Sequence, residues 1–437
     1  MRRHGAKQGN RMDYRMARHA AARHTGMRSV RRIAAAALGL ALSLAGLSAQ
    51  SVAFGNDDPT NPAATDVTMI AFQQSWKTIG DECTKTYGPE GVKYVQVSPP
   101  QESIQGTQWW TSYQPVSYKL DSKLGTEAEF KNMIKQCNAV GVDIIADVVL
   151  NQTTGADVAD GKQTGVAGTE YNGSTGDYPG FATEQYPEGI TASDFHSCSK
   201  NISNYANQQE VQECRLSSMW DFDSESEKVQ DIQSDYLAAL WNAGVRGFRM
   251  DAVKHIHTDS MKAIKEKFAK KIGVNADSIY WIQEVIGNSS EAAGIQPSNY
   301  VQNGTVTEFG FKSEMNQTFK DKIANLKGLN ERLSKDLASE DANVFVTNWD
   351  TARNEGALTY KDGAKYQLAN AFMLAYDYGT PRLLSDYKWD ENDNGAPGAT
   401  ATSVPDVNMD EVCSTNSSDW NCEQRWTSTR GMIAFRN

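Results

Sequence analysis

The sequence is poor in positive charge, in closely spaced cysteines and in apolar runs that could cross a bilayer, and each shortage removes a class of function. Over 437 residues the formal net charge is -11. Phosphate binding needs a basic face to displace counterions, so a nucleic-acid partner is excluded and a neutral substrate fits better. No Cys-x-x-Cys spacing occurs, so the cysteines read as structural rather than redox groups. Apart from residues 33–47 no apolar run is long enough to be weighed as a membrane anchor, and that one is itself too short. No internal repeat appears beyond a strand and helix alternation, and the one biased tract is a Gly/Asn/Ala/Thr loop at 390–402.

What is present begins with an export signal. The first 32 residues carry nine Arg and one Lys, and Arg28, Arg31 and Arg32 lead directly into the apolar run IAAAALGLALSLAGL. Small residues follow at Ser48, Ala49, Ser51 and Ala53. This is the pattern of a secretory signal peptide over residues 1–53, with cleavage after Ala49 or Ala53 equally readable. Met27 begins a signal of ordinary length, so residues 1–26 are read as an over-extended start. The Arg31-Arg32 pair is read as an ordinary positive n-region rather than a twin-arginine signal. A secreted, extracellular chain is expected, with no membrane anchor. Six cysteines follow the signal, an even count that predicts disulfides in an oxidising compartment. Six allow fifteen pairings, and spacing alone chooses none of them.

Single cores stop growing near ~250–300 residues, so 437 residues allow one large barrel or two ordinary domains. Apolar, β-branched runs at 67–72, 92–97, 143–150, 247–251, 279–283, 305–307 and 344–347, with a weaker one at 376–384, alternate with helical patterns. Examples of the helices are 127–139, 226–243 and 423–435. Such alternation predicts an α/β fold, a (β/α)₈ TIM barrel, whose chemistry sits at the C-terminal ends of its strands. From 152 to 220 the chain is rich in Gly, Thr, Ser, Asn and Tyr with little helical period. A structureless loop of that length is improbable, so a small inserted domain after strand 3 is predicted, between barrel segments at 54–151 and 221–437.

Carboxylates stand at three of the predicted strand ends. Asp251 closes the fourth strand in Gly-Phe-Arg-Met-Asp-Ala-Val-Lys-His, with Arg249 two residues earlier on the same face. Glu284 closes the fifth in Trp-Ile-Gln-Glu-Val, and Asp350 follows the seventh in Phe-Val-Thr-Asn-Trp-Asp. A lone Asp at a strand end is more often a helix cap or loop anchor; three at the active face of one barrel point to chemistry. Cleaving a glycosidic bond with retention takes two carboxyl groups ~5–5.5 Å apart, one to attack the anomeric carbon and one to protonate the leaving oxygen. Arg249 is expected to lower the Asp251 pKa and keep it charged, while Glu284 must carry a proton when the bond breaks.

With Asp147-Val-Val-Leu-Asn151 these make four ordered segments. Adding Val95-Gln-Val-Ser-Pro-Pro100, Tyr113-Gln-Pro-Val-Ser-Tyr118 and Trp420-Asn-Cys-Glu-Gln-Arg-Trp426, the stretch from about Val67 to Asn437 resembles the alpha-amylase family, glycoside hydrolase family 13, most closely its animal and actinobacterial branch. The resemblance implies a monomeric, endo-acting hydrolase of the alpha-1,4-glucosidic bonds of starch and related glucans, acting with retention. Asp251 is then the nucleophile, Glu284 the general acid/base, and Asp350 the carboxylate that grips sugar hydroxyls. Trp109, Trp110, Tyr113, Gln152, Arg249, Lys254, His255 and Trp349 line the sugar. Adjacent Trp residues in an extended segment point opposite ways, so at least one of the pair is expected to be a stacking platform.

The same resemblance implies a structural Ca²⁺ held by the side chains of Asn151 and Asp221 and the main-chain carbonyls of Gln212 and His255, an all-oxygen set that suits a hard cation. It implies a Cl⁻ at Arg249, Asn348 and Arg382, where an anion offsets two guanidinium charges near Glu284. It pairs Cys83 with Cys137 and Cys198 with Cys214, which leaves Cys413 with Cys422. The sequence departs from the family at two positions usually held by His, now Gln152 and Trp349. Gln152 still donates a neutral hydrogen bond, whereas Trp349 offers one donor in a different place and more bulk. A lost bond to a charged group is worth ~1.5–3 kcal/mol, so slower turnover is expected. Two other readings stay open: a transglycosylase on the same barrel, and a weakly active or non-catalytic carbohydrate-binding relative. Intact Asp251, Glu284 and Asp350 argue against the latter. The C-terminal β-sandwich of relatives is missing, and the end at Asn437 is read as an incomplete record.

Overall fold

The computed structural model describes residues 66–333, 335–415 and 418–437; the predicted export signal lies outside them. Eight strands close into a barrel: β1 (Thr68–Ala71), β2 (Tyr94–Val97), β3 (Asp143–Val148), β4 (Gly247–Met250), β5 (Tyr280–Gln283), β6 (Thr305–Glu308), β7 (Ala342–Phe345) and β8 (Thr380–Ser385). Their order is β1-β8-β7-β6-β5-β4-β3-β2, and every neighbouring pair is parallel. The strands read as apolar runs because both of their faces are covered, one by the barrel interior and one by helices. In β3 every residue after Asp143 is buried.

Among the described residues the helices of seven residues or more are α1 (Trp76–Glu82), α2 (Glu127–Asn138), α3 (Glu227–Ala243), α4 (Thr258–Ile272), α5 (Phe309–Lys320), α6 (Ala364–Ala375) and α7 (Thr427–Arg436). Local sequence fixes their ends. At the start of α2 the Thr126 hydroxyl accepts from Glu129 N at 3.3 Å while the Glu129 carboxylate accepts from Thr126 N at 2.8 Å, a reciprocal cap. Phe130, Met133, Ile134 and Cys137 then fall on one buried stripe. Helix α3 stops at Gly244, whose φ of 110° is open to glycine at no steric cost.

Four details differ from the sequence reading. Helix α7 begins at Thr427 rather than at 423, after a 3₁₀ turn over Glu423–Arg425. No helix joins β5 to β6; that crossover is three 3₁₀ turns, Ala293–Ile295, Pro297–Asn299 and Val301–Asn303, where Pro297 opens a turn and Gly304, at φ 150°, sits against Trp281. Strand β7 runs two residues earlier than 344–347, because Asn348 caps the next helix and Thr347 Oγ1 turns to Thr351 Oγ1 at 3.1 Å. Strand β8 begins at Thr380, after Gly379 reverses the chain at φ 69°.

Between β3 and α3 lie two small antiparallel pairs, Gln152–Gly155 with Met219–Asp221 and Gln163–Thr164 with Glu170–Tyr171. They pack with an aromatic cluster of their own, including Tyr171, Tyr178, Phe181, Phe195 and Phe222. The disulfides are Cys83–Cys137, Cys198–Cys214 and Cys413–Cys422, as the resemblance implied. The first joins the end of α1 to α2 across 54 residues; loop-closure entropy gives such a link about 4 kcal/mol. Among the described residues no helix is long and apolar enough to cross a membrane.

Candidate active site

The site is built from neighbouring strand ends. Met250 pairs with Gln283 across β4 and β5, so the next residues, Asp251 and Glu284, leave the barrel side by side. Asp251 N donates to Val148 O at 2.9 Å and Glu284 N to Met250 O at 3.0 Å, which extends the ladder one step past each strand. Ala252 then takes a left-handed conformation, φ 51°, at a cost of about 1 kcal/mol. That turn aims its N–H at Glu284 Oε2, 2.9 Å away.

Arg249 projects from β4 into the middle of these acids. One of its terminal nitrogens lies 2.7 Å from Asp147 Oδ1 and 2.8 Å from Asp251 Oδ1, and the other lies 2.7 Å from Glu284 Oε1. The guanidinium is almost wholly buried, and Asp147 is completely so. Tyr113 donates its hydroxyl to the second oxygen of Asp147 at 2.8 Å. Asp350, at the second position of the short helix Trp349–Asn354, completes the group.

One cation does not offset this many acids in a dry setting. Burial, with the Glu284 and Asp147 carboxylates adding to it, pushes Asp251 up to about 7 against the pull of Arg249. Arg249 was expected to hold Asp251 below the usual carboxylate range, and desolvation reverses the sign. Burial, then Glu284 and Asp251, push Asp350 up to about 8, opposed by Arg249 and Arg353. Burial also raises Asp147. Burial and mutual repulsion therefore favour the protonated form of these three carboxyls more than water does.

The remaining predicted residues fall around this centre. Gln152 Nε2 donates to Asp251 Oδ2 at 3.3 Å and to Tyr113 O at 3.1 Å, so it addresses the acid directly. Trp109–Tyr113 is a 3₁₀ turn, not the extended segment expected, and this sorts the pair of Trp residues. Trp109 turns inward and donates its indole N–H to Asn392 O at 2.8 Å; Trp110 stays half-buried and Tyr113 is buried. Trp349 is 1% exposed, stacked on Phe72 at 5.2 Å and 10°, with the Arg249 guanidinium 5.1 Å from its ring. Its bulk thus lies in the packing beneath the acids. Lys254 is ion-paired with Glu291 and sits 5.5 Å from the Tyr205 ring. His255 donates Nδ1–H to Val211 O at 3.0 Å, and burial holds it neutral, down to about 4.

The residues assigned to Ca²⁺ come as two adjacent pairs. Phe222 N donates to Asn151 O at 2.9 Å beside Asp221, and Gln212 Nε2 reaches Ile256 O at 3.3 Å beside His255. Asp221 Oδ1 and Asn151 Nδ2 are buried without hydrogen-bond partners, and a carboxamide can turn to present its oxygen. Two orphaned groups of this kind fit an oxygen-loving cation. Among the residues assigned to Cl⁻, Arg382 is the one short of negative partners. Burial and the nearby Arg249 lower Arg382 to about 10, and the Nε atoms of both arginines are buried without partners. Asn348 Oδ1 caps its helix through Thr351 N at 2.8 Å, which leaves its amino end for an anion.

Sequence reasoning missed several participants. Asp147 was read only as part of a motif, although an Asp inside an apolar β-strand is itself a signal for a buried partner. His196, 2.6 Å from Asp221 Oδ2 and 3.1 Å from Glu225 Oε2, lies in the segment with no periodic pattern. Glu291, which holds Lys254, lies in the irregular β5–β6 crossover.

The alpha-amylase catalytic domain family model matches residues 91–383. An alpha-amylase from Streptomyces violaceus is 37% identical over 402 residues, 91% of this chain and 65% of that protein. An alpha-amylase from Aeromonas hydrophila is 39% identical over 385 residues, 86% of this chain and 79% of that protein. The crystal structure of alpha-amylase I from Eisenia fetida superposes with a TM-score of 0.76 at 32% identity, covering 85% of this chain and 77% of that one. A mutant of the Eisenia fetida protein has also been solved as a complex with maltohexaose. The chain thus spans about two thirds of the length of its Streptomyces relative.

Proposed function

This chain belongs to the alpha-amylase family, and from that membership we propose that it is a secreted, monomeric endo-hydrolase of the alpha-1,4-glucosidic bonds of starch, acting with retention. The observation that carries the proposal is the guanidinium of Arg249, bound to Asp251 at 2.8 Å and to Glu284 at 2.7 Å. Two carboxyl groups on neighbouring nitrogens of one guanidinium suit the short separation that a covalent glycosyl intermediate needs. Glu284, held by Ala252 N, protonates the leaving oxygen while Asp251 attacks the anomeric carbon. Water then enters, gives its proton to Glu284, and frees the sugar with two inversions. Asp350 grips sugar hydroxyls as positive charge develops on the ring. Trp110 is the stacking platform, with Lys254 and His255 on the reducing side. The maltohexaose bound by the Eisenia fetida relative supports an extended glucan chain as ligand.

A bound Ca²⁺ would fix the cleft wall, with Asn151 and Asp221 supplying side-chain oxygens and Gln212 and His255 main-chain oxygens. A bound Cl⁻ would balance Arg249 and Arg382, with Asn348 completing its donors. The three disulfides and the N-terminal apolar run support export.

The test is digestion of maltoheptaose by the mature protein, followed by proton NMR of the first products. The α-anomer is expected first; the β-anomer first, or no cleavage, contradicts the proposal. Chelation should lower the thermal stability by about 3–4 kcal/mol if the resident cation is bound at 100–1,000 times its Kd. After dialysis, halide titration should restore rate; a flat titration refutes the chloride.

A further inference from the structure

We propose that Arg353, held by Asp386, is the positioning residue for Asp350. This rests on the reading of Asp350 as the carboxylate that grips the sugar. Asp350 lies on a six-residue helix, Trp349–Asn354. A helix that short does not hold itself, so its orientation must come from contacts outside it. The Asn348 cap fixes its beginning. Arg353 fixes the rest: one terminal nitrogen turns back to Trp349 O at 3.2 Å, and both reach the Asp386 carboxylate as a fork, at 2.8 and 3.0 Å. Asp386 follows β8 directly and is itself anchored, its oxygen by Tyr387 N at 2.8 Å and its N–H by Glu423 Oε2 at 3.1 Å.

Aromatic rings close the cage. The Arg353 guanidinium lies 5.0 Å from the ring centre of Phe72, 5.2 Å from Tyr387 and from Trp389, and 5.9 Å from Trp109. Phe72 also stacks on Trp349, so the arginine couples the Asp350 helix to β1, to the Trp109 turn and to the segment after β8. Both partners of the ion pair are buried, 0% and 3% exposed in their side chains, which rules out contact with substrate. A planar fork is the part lysine cannot supply. The charge has a second consequence. The groups acting on Asp350 are the carboxylates of Glu284 and Asp251 and the cations of Arg249 and Arg353, while Asp386 and Tyr387 face Arg353. Arg353 is one of two cations that oppose a proton on Asp350.

Three variants of the full chain test this on a chromogenic maltoheptaoside across pH, with thermal melts alongside. Arg353→Lys keeps the charge and loses the fork; Arg353→Gln with Asp386→Asn replaces the pair by neutral groups, isosteric at 386 and shorter at 353; Asp350→Asn is the reference. Both Arg353 variants should lose at least tenfold in kcat with KM changed less than threefold. The acid limb should move up by about half a pH unit in the neutral double variant and stay in place in Arg353→Lys. The proposal is overturned if Asp350→Asn is inactive while the Arg353 variants keep wild-type kcat and pH profile, or if their losses merely follow the unfolded fraction at the assay temperature. An active Asp350→Asn overturns the underlying reading as well.

Discussion

Glu210 in the inserted segment and Asp350 at the barrel mouth are both carboxylates, and their surroundings drive them in opposite directions. Glu210 accepts from Ser203 N at 2.7 Å, Ser203 Oγ at 2.8 Å, Lys200 Nζ at 3.1 Å and Asn204 N at 3.1 Å, and these bonds bring it down to about 2. Asp350, with two acids facing it and burial outweighing two guanidinium groups, rises to about 8. The inserted segment uses its charge to hold the chain in place. The barrel mouth keeps acids short of compensation, which lowers stability and supplies protons at neutral pH. For Asp251 and Asp350, raised in the fold, the stabilising contribution is complete below the ordinary carboxylate pKa of about 3.9 and is lost as pH rises through about 7 and about 8. For Glu210, depressed in the fold, it is present above about 4.3 and lost as pH falls through about 2.

The largest break in this contrast should come from Asp251→Asn or Glu284→Gln, each losing at least ~10³-fold in kcat with the melting temperature held or raised. Next, Trp349→His removes bulk from the stack with Phe72 and should cost about 2–4 kcal/mol in urea melts, approaching the loss for truncating a buried Trp. The structure thus sets that cost against any gain from a restored histidine. Asp350→Asn removes an acid the fold disfavours, and should stabilise by about 1–3 kcal/mol at pH 8.5 and by almost nothing at pH 4. Gln152→His should raise turnover by about tenfold, since a charge-assisted bond near Asp251 is worth one such step. The smallest effect is expected from Glu210→Gln, a lower melting temperature at pH 7 with kcat unchanged. Separately, the acid limb of kcat/KM should lie above the ordinary carboxylate range, toward the values near 7 and 8 of Asp251 and Asp350.

The barrel was legible because its strands are apolar on both faces and its helices carry clear caps, as at Thr126. Asp251 and Glu284 stood out in the sequence because, with Asp350, they put acids at three strand ends of one barrel mouth, where a lone acid would have been read as a cap or loop anchor. What stayed hidden depends on three-dimensional packing. The local run Trp109-Trp110 does not reveal a 3₁₀ turn, and nothing local announces that Trp349 will lie under Phe72. The upward shift of Asp251 comes first from its burial, to which Glu284 and Asp147 add, residues 33 and 104 positions away in sequence yet brought to one guanidinium. A pairwise reading of Arg249 with Asp251 captures one of the three acids involved.

The most direct measurement is mass spectrometry of the mature protein after reaction with a fluorinated α-glucosyl fluoride that traps the glycosyl intermediate. A single glucosyl adduct on the peptide containing Asp251, lost in the Asp251→Asn variant, is the predicted result. An adduct on Glu284 or Asp350, or steady turnover with no adduct on any acid, would contradict the account.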